Sequence, residues 1–215
     1  MPHAVAIFDF DGTLVDSMPS WSEKMLNILR TSGVDYPDDI IRIITPLGDR
    51  GSADYFRDVL GAKMSYEEMF TMMDAYALPC YRDKIPAKAG VEAYLRRLHA
   101  EGIQLCILTA SPHKMLDPCL ERLGLTPLFT QICSSDDFGM PKSNPDIYLA
   151  LLERLGASPA DAVFFDDNLT AIRTAKSLGI ATVGVYDAHA DNTWSEMQTV
   201  ADATVKDFTG LCDII

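Results

Sequence analysis

Two aspartates two residues apart, followed by a glycine and a threonine, stand near the amino terminus in Phe8-Asp9-Phe10-Asp11-Gly12-Thr13-Leu14. A carboxylate pair at this spacing, beside a glycine that permits a sharp turn, suits cation binding or a division of nucleophile and acid–base duties. It equally suits a plain loop start. Three later segments bear on the choice. Leu108-Thr109-Ala110-Ser111 offers hydroxyls that can bond an anion, Met140-Pro141-Lys142-Ser143 offers a cation ahead of a helix expected near Pro145, and Phe165-Asp166-Asp167-Asn168 offers two more carboxylates. Ser111, directly before Pro112, also reads as a helix N-cap. Asp146 reads as support for the loop carrying Lys142 or for the helix start.

These residues need elements to position them. Short β-branched or aromatic runs at 4–8, 104–109, 131–134, 162–165 and 181–186 are expected strands. Between them Val91, Tyr94, Leu95 and Leu98, and again Tyr148, Leu151, Leu152 and Leu155, recur at helical spacing. Such alternation predicts right-handed crossovers and a parallel sheet covered on both faces, a doubly wound α/β layer. Ligand sites in these sheets lie at the carboxyl ends of the strands. The two aspartate pairs and the Thr109 segment each follow an expected strand.

One stretch breaks the alternation. From about 18 to 85 only helical patterns occur: Trp21, Met25, Ile28 and Leu29, then 54–60, then 65–81 with Met69, Met72 and Met73. A helical block between the first two strands is expected to be an inserted subdomain, 16–86, within a core formed by 1–15 and 87–215, with hinges near 15–18 and 84–89. Trp21 and the methionines share helical stripes and read as packing inside the insertion.

In this order the motifs resemble those of the haloacid dehalogenase superfamily of aspartate-nucleophile phosphotransferases. Asp9 to Leu14 matches its opening Asp-x-Asp-Gly-Thr-Leu, Thr109 its second-strand hydroxyl, and Lys142 with Pro145-Asp146-Ile147 its lysine segment. Asp166, Asp167 and Leu178-Gly179 match its closing acids and helix end. The resemblance implies a Rossmann-like core with a mobile α-helical cap, and Asp9 as the nucleophile that becomes an aspartyl phosphate. It implies Asp11 as the general acid and base, with Thr109, Ser111 and Lys142 on the phosphoryl oxygens. Asp9, Asp166, Asp167 and the backbone carbonyl of Asp11 would hold Mg²⁺. A hard cation fits, because a carboxylate attacking a phosphate dianion meets like-charge repulsion. One departure stands out: Ala110 occupies a position where many members have Asn.

The implied activity is Mg²⁺-dependent hydrolysis of a small phosphomonoester, a sugar phosphate or similar metabolite. Dehalogenases of the superfamily lack the second aspartate, which is present here as Asp11. Sugar phosphomutases carry a cap histidine where this chain has Trp21, so the mutase reading ranks second. A non-catalytic phosphate-binding protein ranks lower, since no acid and no lysine is missing. Within the expected cap, Arg50 in Gly48-Asp49-Arg50-Gly51-Ser52 reads as a loop residue able to grip an oxyanion bidentately, or as a solvated arginine near a helix start. His113 reads as a surface histidine at a helix start.

The wider composition narrows the partners. The chain has 215 residues, 31 acidic against 18 basic, and a formal charge of −13. Nucleic acids are bound by clustered Lys and Arg, so that class is disfavoured, as is an anionic membrane. With 48% hydrophobic and 23% charged residues the chain has the composition of an ordinary soluble protein. Apolar runs fall short of the ~20 residues of a membrane span, and no basic region precedes a long apolar run near Met1, so no secretory signal is expected. Cys80, Cys106, Cys119, Cys133 and Cys212 lack metal-ligand spacing and read as reduced, mostly buried thiols of a cytoplasmic protein. A monomer or weak homo-oligomer acting on a small phosphorylated metabolite is the resulting expectation.

Overall fold

In a computed structural model of the chain, residues 3–211 are described. The chain divides into two compact units, one running through Asp16 and resuming at Pro86, the other Ser17–Ile85. In chain order the elements are β1 (Val5–Phe8), α1 (Met18–Ser32), α2 (Ile40–Ile44), α3 (Gly48–Asp58), α4 (Tyr66–Asp83), α5 (Val91–Ala100), β2 (Gln104–Thr109) and α6 (His113–Arg122). β3 (Gln131–Ser134), α7 (Asp146–Leu155), β4 (Ala162–Asp166), α8 (Leu169–Ser177), β5 (Ala181–Val185), α9 (Asp191–Val200) and β6 (Ala203–Val205) follow.

The six strands form one parallel sheet in the order β3-β2-β1-β4-β5-β6. β1 is central because every residue from Val5 to Phe8 is buried, which only a strand covered on both faces allows. Its side chains alternate between two cores. Phe8 stacks on its register partner Phe165 with centroids 4.6 Å apart, beside Tyr94 of α5 and Phe208. Val5 and Ile7 face the other way, into a cluster with Phe164, Leu108 and Tyr148 of α7. β6 escapes the sequence reading because three half-buried residues carry too little pattern.

The unit Ser17–Ile85 is all-helical and packs its own core from Met25, Ile28, Leu29, Ile40, Ile44, Phe56, Met69 and Met73. The methionine stripe therefore packs where expected. α4 begins on Ser65, whose hydroxyl accepts the Glu68 N–H while Glu68 returns the bond, a capping box. Helix α3 starts six residues before the expected 54, so Gly48–Ser52 is helical and Arg50 does not sit in a loop. Asp49 in its first turn complements the exposed N–H groups there. Trp21 is more than packing, since its indole N–H donates to Asp49 Oδ1 at 2.8 Å and buried Lys24 grips both Asp49 oxygens at 2.8 Å.

Cys80, Cys106, Cys119 and Cys133 are free and buried, and burial pushes the Cys106 thiol up to about 12 and Cys119 to about 11. Cys212 lies outside the described residues. No helix among those residues is long and apolar enough to cross a membrane.

Candidate active site

The chain reverses direction across the sheet between β1 and β4, and at that switch point the carboxyl ends of both strands carry acids. β1 runs straight into Asp9, and β4 ends on Asp166. Asp9, Asp166 and Asp167 each offer an oxygen, all within 4.8 Å of one another. Lys142 Nζ sits between two of them, 2.8 Å from Asp9 Oδ1 and 2.7 Å from Asp166 Oδ2, with its side chain 11% exposed. The loop ahead of α7 places it there. The hydroxyl of buried Tyr148 donates to the Lys142 carbonyl at 3.0 Å, fastening that loop to the α7 core.

Electrostatics mark the cluster as short of positive charge. Burial, with the neighbouring Asp166 charge adding to it and Lys142 opposing, raises the Asp9 carboxyl to about 6. Burial and the charges of Asp166 and Asp9 hold the Asp167 carboxyl well above its ordinary value. Burial alone would lower the Lys142 ammonium, yet Asp166 and Asp9 outweigh it and raise it. Three hard oxygen donors held this close, facing one ammonium, fit a divalent cation such as Mg²⁺ or Ca²⁺ better than a softer metal.

Asp11 lies across the turn. The Ser111 hydroxyl donates to Asp11 Oδ2, and the Ser111 N–H donates to Thr109 Oγ1 at 3.1 Å. Ser111 is thus no helix cap. The α6 N-cap is Pro112, because the Ser111 side chain turns to the carboxylate instead. Thr109, 1% exposed, accepts that N–H and keeps its O–H to donate. His113 begins α6 as expected and bonds Asp117 at 2.9 Å and Asp137 at 3.0 Å.

In the first motif the sequence assigns Thr13 no role and Gly12 only a turn. Thr13 is fully buried, donating to Asp167 Oδ1 at 3.2 Å and accepting the Asp167 N–H at 3.1 Å, so it ties the first-motif turn to the end of β4. Gly12 takes φ 74°, and a Cβ there would lie 2.5 Å from Asp167 Oδ2. Their place between Asp11 and Leu14 was the available signal. Asn168 was passed over too; it caps α8 with its side chain and donates its N–H to Asp166 Oδ1 at 2.6 Å.

The structure brings Asp9, Lys142, Asp166 and Asp167 together, and it joins Asp11 to Ser111 and Ser111 to Thr109. Arg50 belongs to the helical unit, where its guanidinium pairs with Asp54 at 3.4 Å and stacks 4.0 Å from the Tyr66 ring centre.

Comparison with known proteins follows the same lines. A family model described as a haloacid dehalogenase-like hydrolase matches residues 3–179. The validoxylamine A 7'-phosphate phosphatase of Streptomyces hygroscopicus subsp. limoneus is 30% identical over 96% of this chain and 95% of its own length. The phosphorylated carbohydrates phosphatase of Thermotoga maritima is 28% identical, with 82% of each chain covered. Among solved structures, CbbY from Rhodobacter sphaeroides shares the fold with a TM-score of 0.82 at 20% identity, covering 97% of this chain and 96% of that one.

Proposed function

Because the chain belongs to the haloacid dehalogenase-like hydrolases, we propose that it hydrolyses small phosphomonoesters through an aspartyl phosphate formed on Asp9. The single observation that carries this reading is the Lys142 ammonium lodged between Asp9 and Asp166 at the switch point of the sheet. Relatives named as phosphatases of validoxylamine A 7'-phosphate and of phosphorylated carbohydrates support sugar phosphates as the substrate class.

Asp9 attacks phosphorus while Asp11 protonates the departing alcohol oxygen. Asp11 then takes a proton from the water that attacks the aspartyl phosphate. General acid–base help of this kind contributes about 10²–10⁴-fold. Ser111 orients the Asp11 carboxyl, and Thr109 and Lys142 donate hydrogens to phosphoryl oxygens, supplying positioning and charge neutralisation. Asp9, Asp166 and Asp167, with the Asp11 backbone carbonyl, are the residues that would hold Mg²⁺. Bound there, it offsets the negative charge of nucleophile and phosphate. The helical unit, Ser17–Ile85, is the proposed cap, with Arg50 a residue that would turn to the substrate on binding. Trp21 stands where the mutases of the superfamily have histidine. An indole N–H only donates a hydrogen bond and does not titrate near neutral pH as an imidazole does, so hydrolysis is favoured over phosphoryl return.

The test is phosphate release from an aryl phosphate and a panel of sugar phosphates, with Mg²⁺ and with chelator, for wild type and Asp9→Asn. Release confined to wild type with Mg²⁺ is expected. Activity persisting in Asp9→Asn, or indifference to chelator, would sink the mechanism. Conversion of a sugar monophosphate to its isomer with little free phosphate would make the protein a mutase, and halide release from a haloacid a dehalogenase.

A further inference from the structure

A second buried ion pair lies on the same edge of the sheet, and the proposed chemistry does not use it. Lys88, 11% exposed, donates to Asp187 Oδ2 at 2.9 Å and to the Tyr186 carbonyl at 2.8 Å. Asp187, 4% exposed, follows the carboxyl end of β5, and its Oδ1 accepts the His189 N–H at 2.9 Å. Both Asp187 oxygens are thereby engaged within the protein. Its charge nevertheless acts on Asp167, so the pair lies within electrostatic reach of the cation cluster.

The backbone of Lys88 points to the other side of the site. Its N–H donates to the Leu14 carbonyl at 2.9 Å, Ala87 pairs with Val15 as an antiparallel bridge, and the Asp16 N–H reaches the Pro86 carbonyl at 3.0 Å. Leu14 and Val15 close the turn that holds Asp11. Their N–H groups both bond the Phe10 carbonyl, at 2.9 and 3.0 Å, and the Gly12 N–H bonds the Val15 carbonyl at 3.1 Å. Lys88 therefore spans from the Asp11 turn to the end of β5. A buried ion pair adds little net stability compared with apolar side chains of the same volume, so its value lies in what it holds in place.

We propose that Lys88, locked by Asp187, is a positioning residue that fixes the Asp11 turn against the sheet edge. The inference rests on the phosphatase reading for its kinetic consequence, not for its structural one. If Lys88 places Asp11, its loss harms most the substrates that need a proton on the leaving oxygen. An alkyl phosphate needs that proton; a nitrophenyl phosphate, whose leaving group is stable as an anion, hardly does.

The experiment compares wild type, Lys88→Met, Asp187→Asn and the double variant on an alkyl phosphate and on nitrophenyl phosphate. Amide exchange of Gly12, Leu14 and Val15 is followed in the same proteins. The double variant carries no unpaired buried charge, which keeps a folded protein in the set if Lys88→Met fails to fold. Expected is a fall in kcat/KM, which reports only the steps up to departure of the alcohol, of about tenfold or more on the alkyl phosphate against about threefold or less on the aryl one. The single and double variants should be similar, and the three amides should exchange faster than in wild type. Equal losses on both substrates, or unchanged exchange at those amides, overturns the positioning role. A wild type that releases no phosphate from either substrate overturns the phosphatase reading instead, and the exchange result then decides whether Lys88 holds the turn.

Discussion

Gly12 packs against Asp167 so closely that a Cβ on its backbone would stand 2.5 Å from Oδ2 and 2.8 Å from Cγ of that carboxylate. The contact joins the first acidic motif to the last, 155 residues later in the chain. The same glycine holds φ at 74°, which an L side chain adopts at a cost of about 1 kcal/mol.

Gly12→Ala is therefore expected to displace Asp167 from the cluster. Phosphatase activity should fall at least about tenfold, and the Mg²⁺ concentration for half-activity should rise. Titration of activity with Mg²⁺ checks both. An alanine variant with wild-type Mg²⁺ dependence would show that the cation does not need Asp167.

Lys142→Met leaves Asp9 and Asp166 buried with no ammonium between them. Breaking a buried pair of this kind costs about 3–5 kcal/mol. Denaturant unfolding in chelator should register that loss, and Mg²⁺ should restore more stability to the variant than to wild type. A variant as stable as wild type without metal would mean that the ammonium does not offset the carboxylates.

Removal of the metal gives a third expectation. A ligand at about 100 times its Kd stabilises the folded state by about 2.7 kcal/mol, which for a chain of this size moves Tm by about 5–10 °C. Thermal unfolding with excess Mg²⁺ and with chelator should differ by that amount in wild type, and by much less in Asp166→Asn. The same difference in both proteins would place the cation elsewhere.

His113 supplies the pH dependence. Hydrogen bonds that its ring donates to Asp117 and Asp137 raise its pKa above the ordinary 6.5. A base whose folded pKa is raised contributes stability that is complete below its unfolded value and disappears as pH rises through the folded one. The ring is well exposed, so screening holds the effect below about 1 kcal/mol. The Tm gap between wild type and His113→Gln should be fully open below the ordinary 6.5 and close as the pH rises above it through the raised folded-state value. A gap that widens with pH would reverse the sign.

The strands and their function were legible where local pattern is strong. The run Val5–Phe8 is apolar without a break because both faces of β1 are covered, and the acids after it were visible as a motif. Helix α3 was misplaced because Gly48 and Gly51 look like loop residues, whereas packing of Ala53 and Phe56 into the helical core overrides that local preference. The roles of Trp21 and Lys24 were hidden for a related reason: a stripe at helical spacing does not reveal a carboxylate from another helix.

Residue types and their order along the chain were enough to name the family and to nominate Asp9, Asp11, Lys142, Asp166 and Asp167. Only the tertiary structure decided the partners: Ser111 with Asp11, Thr13 and Gly12 with Asp167, Lys88 with Asp187. The physical reason is range. Strand and helix pattern follows from neighbours a few residues apart, but hydrogen bonds and ion pairs act within about 3 Å, and these join residues that the sheet alone brings from opposite ends of the chain.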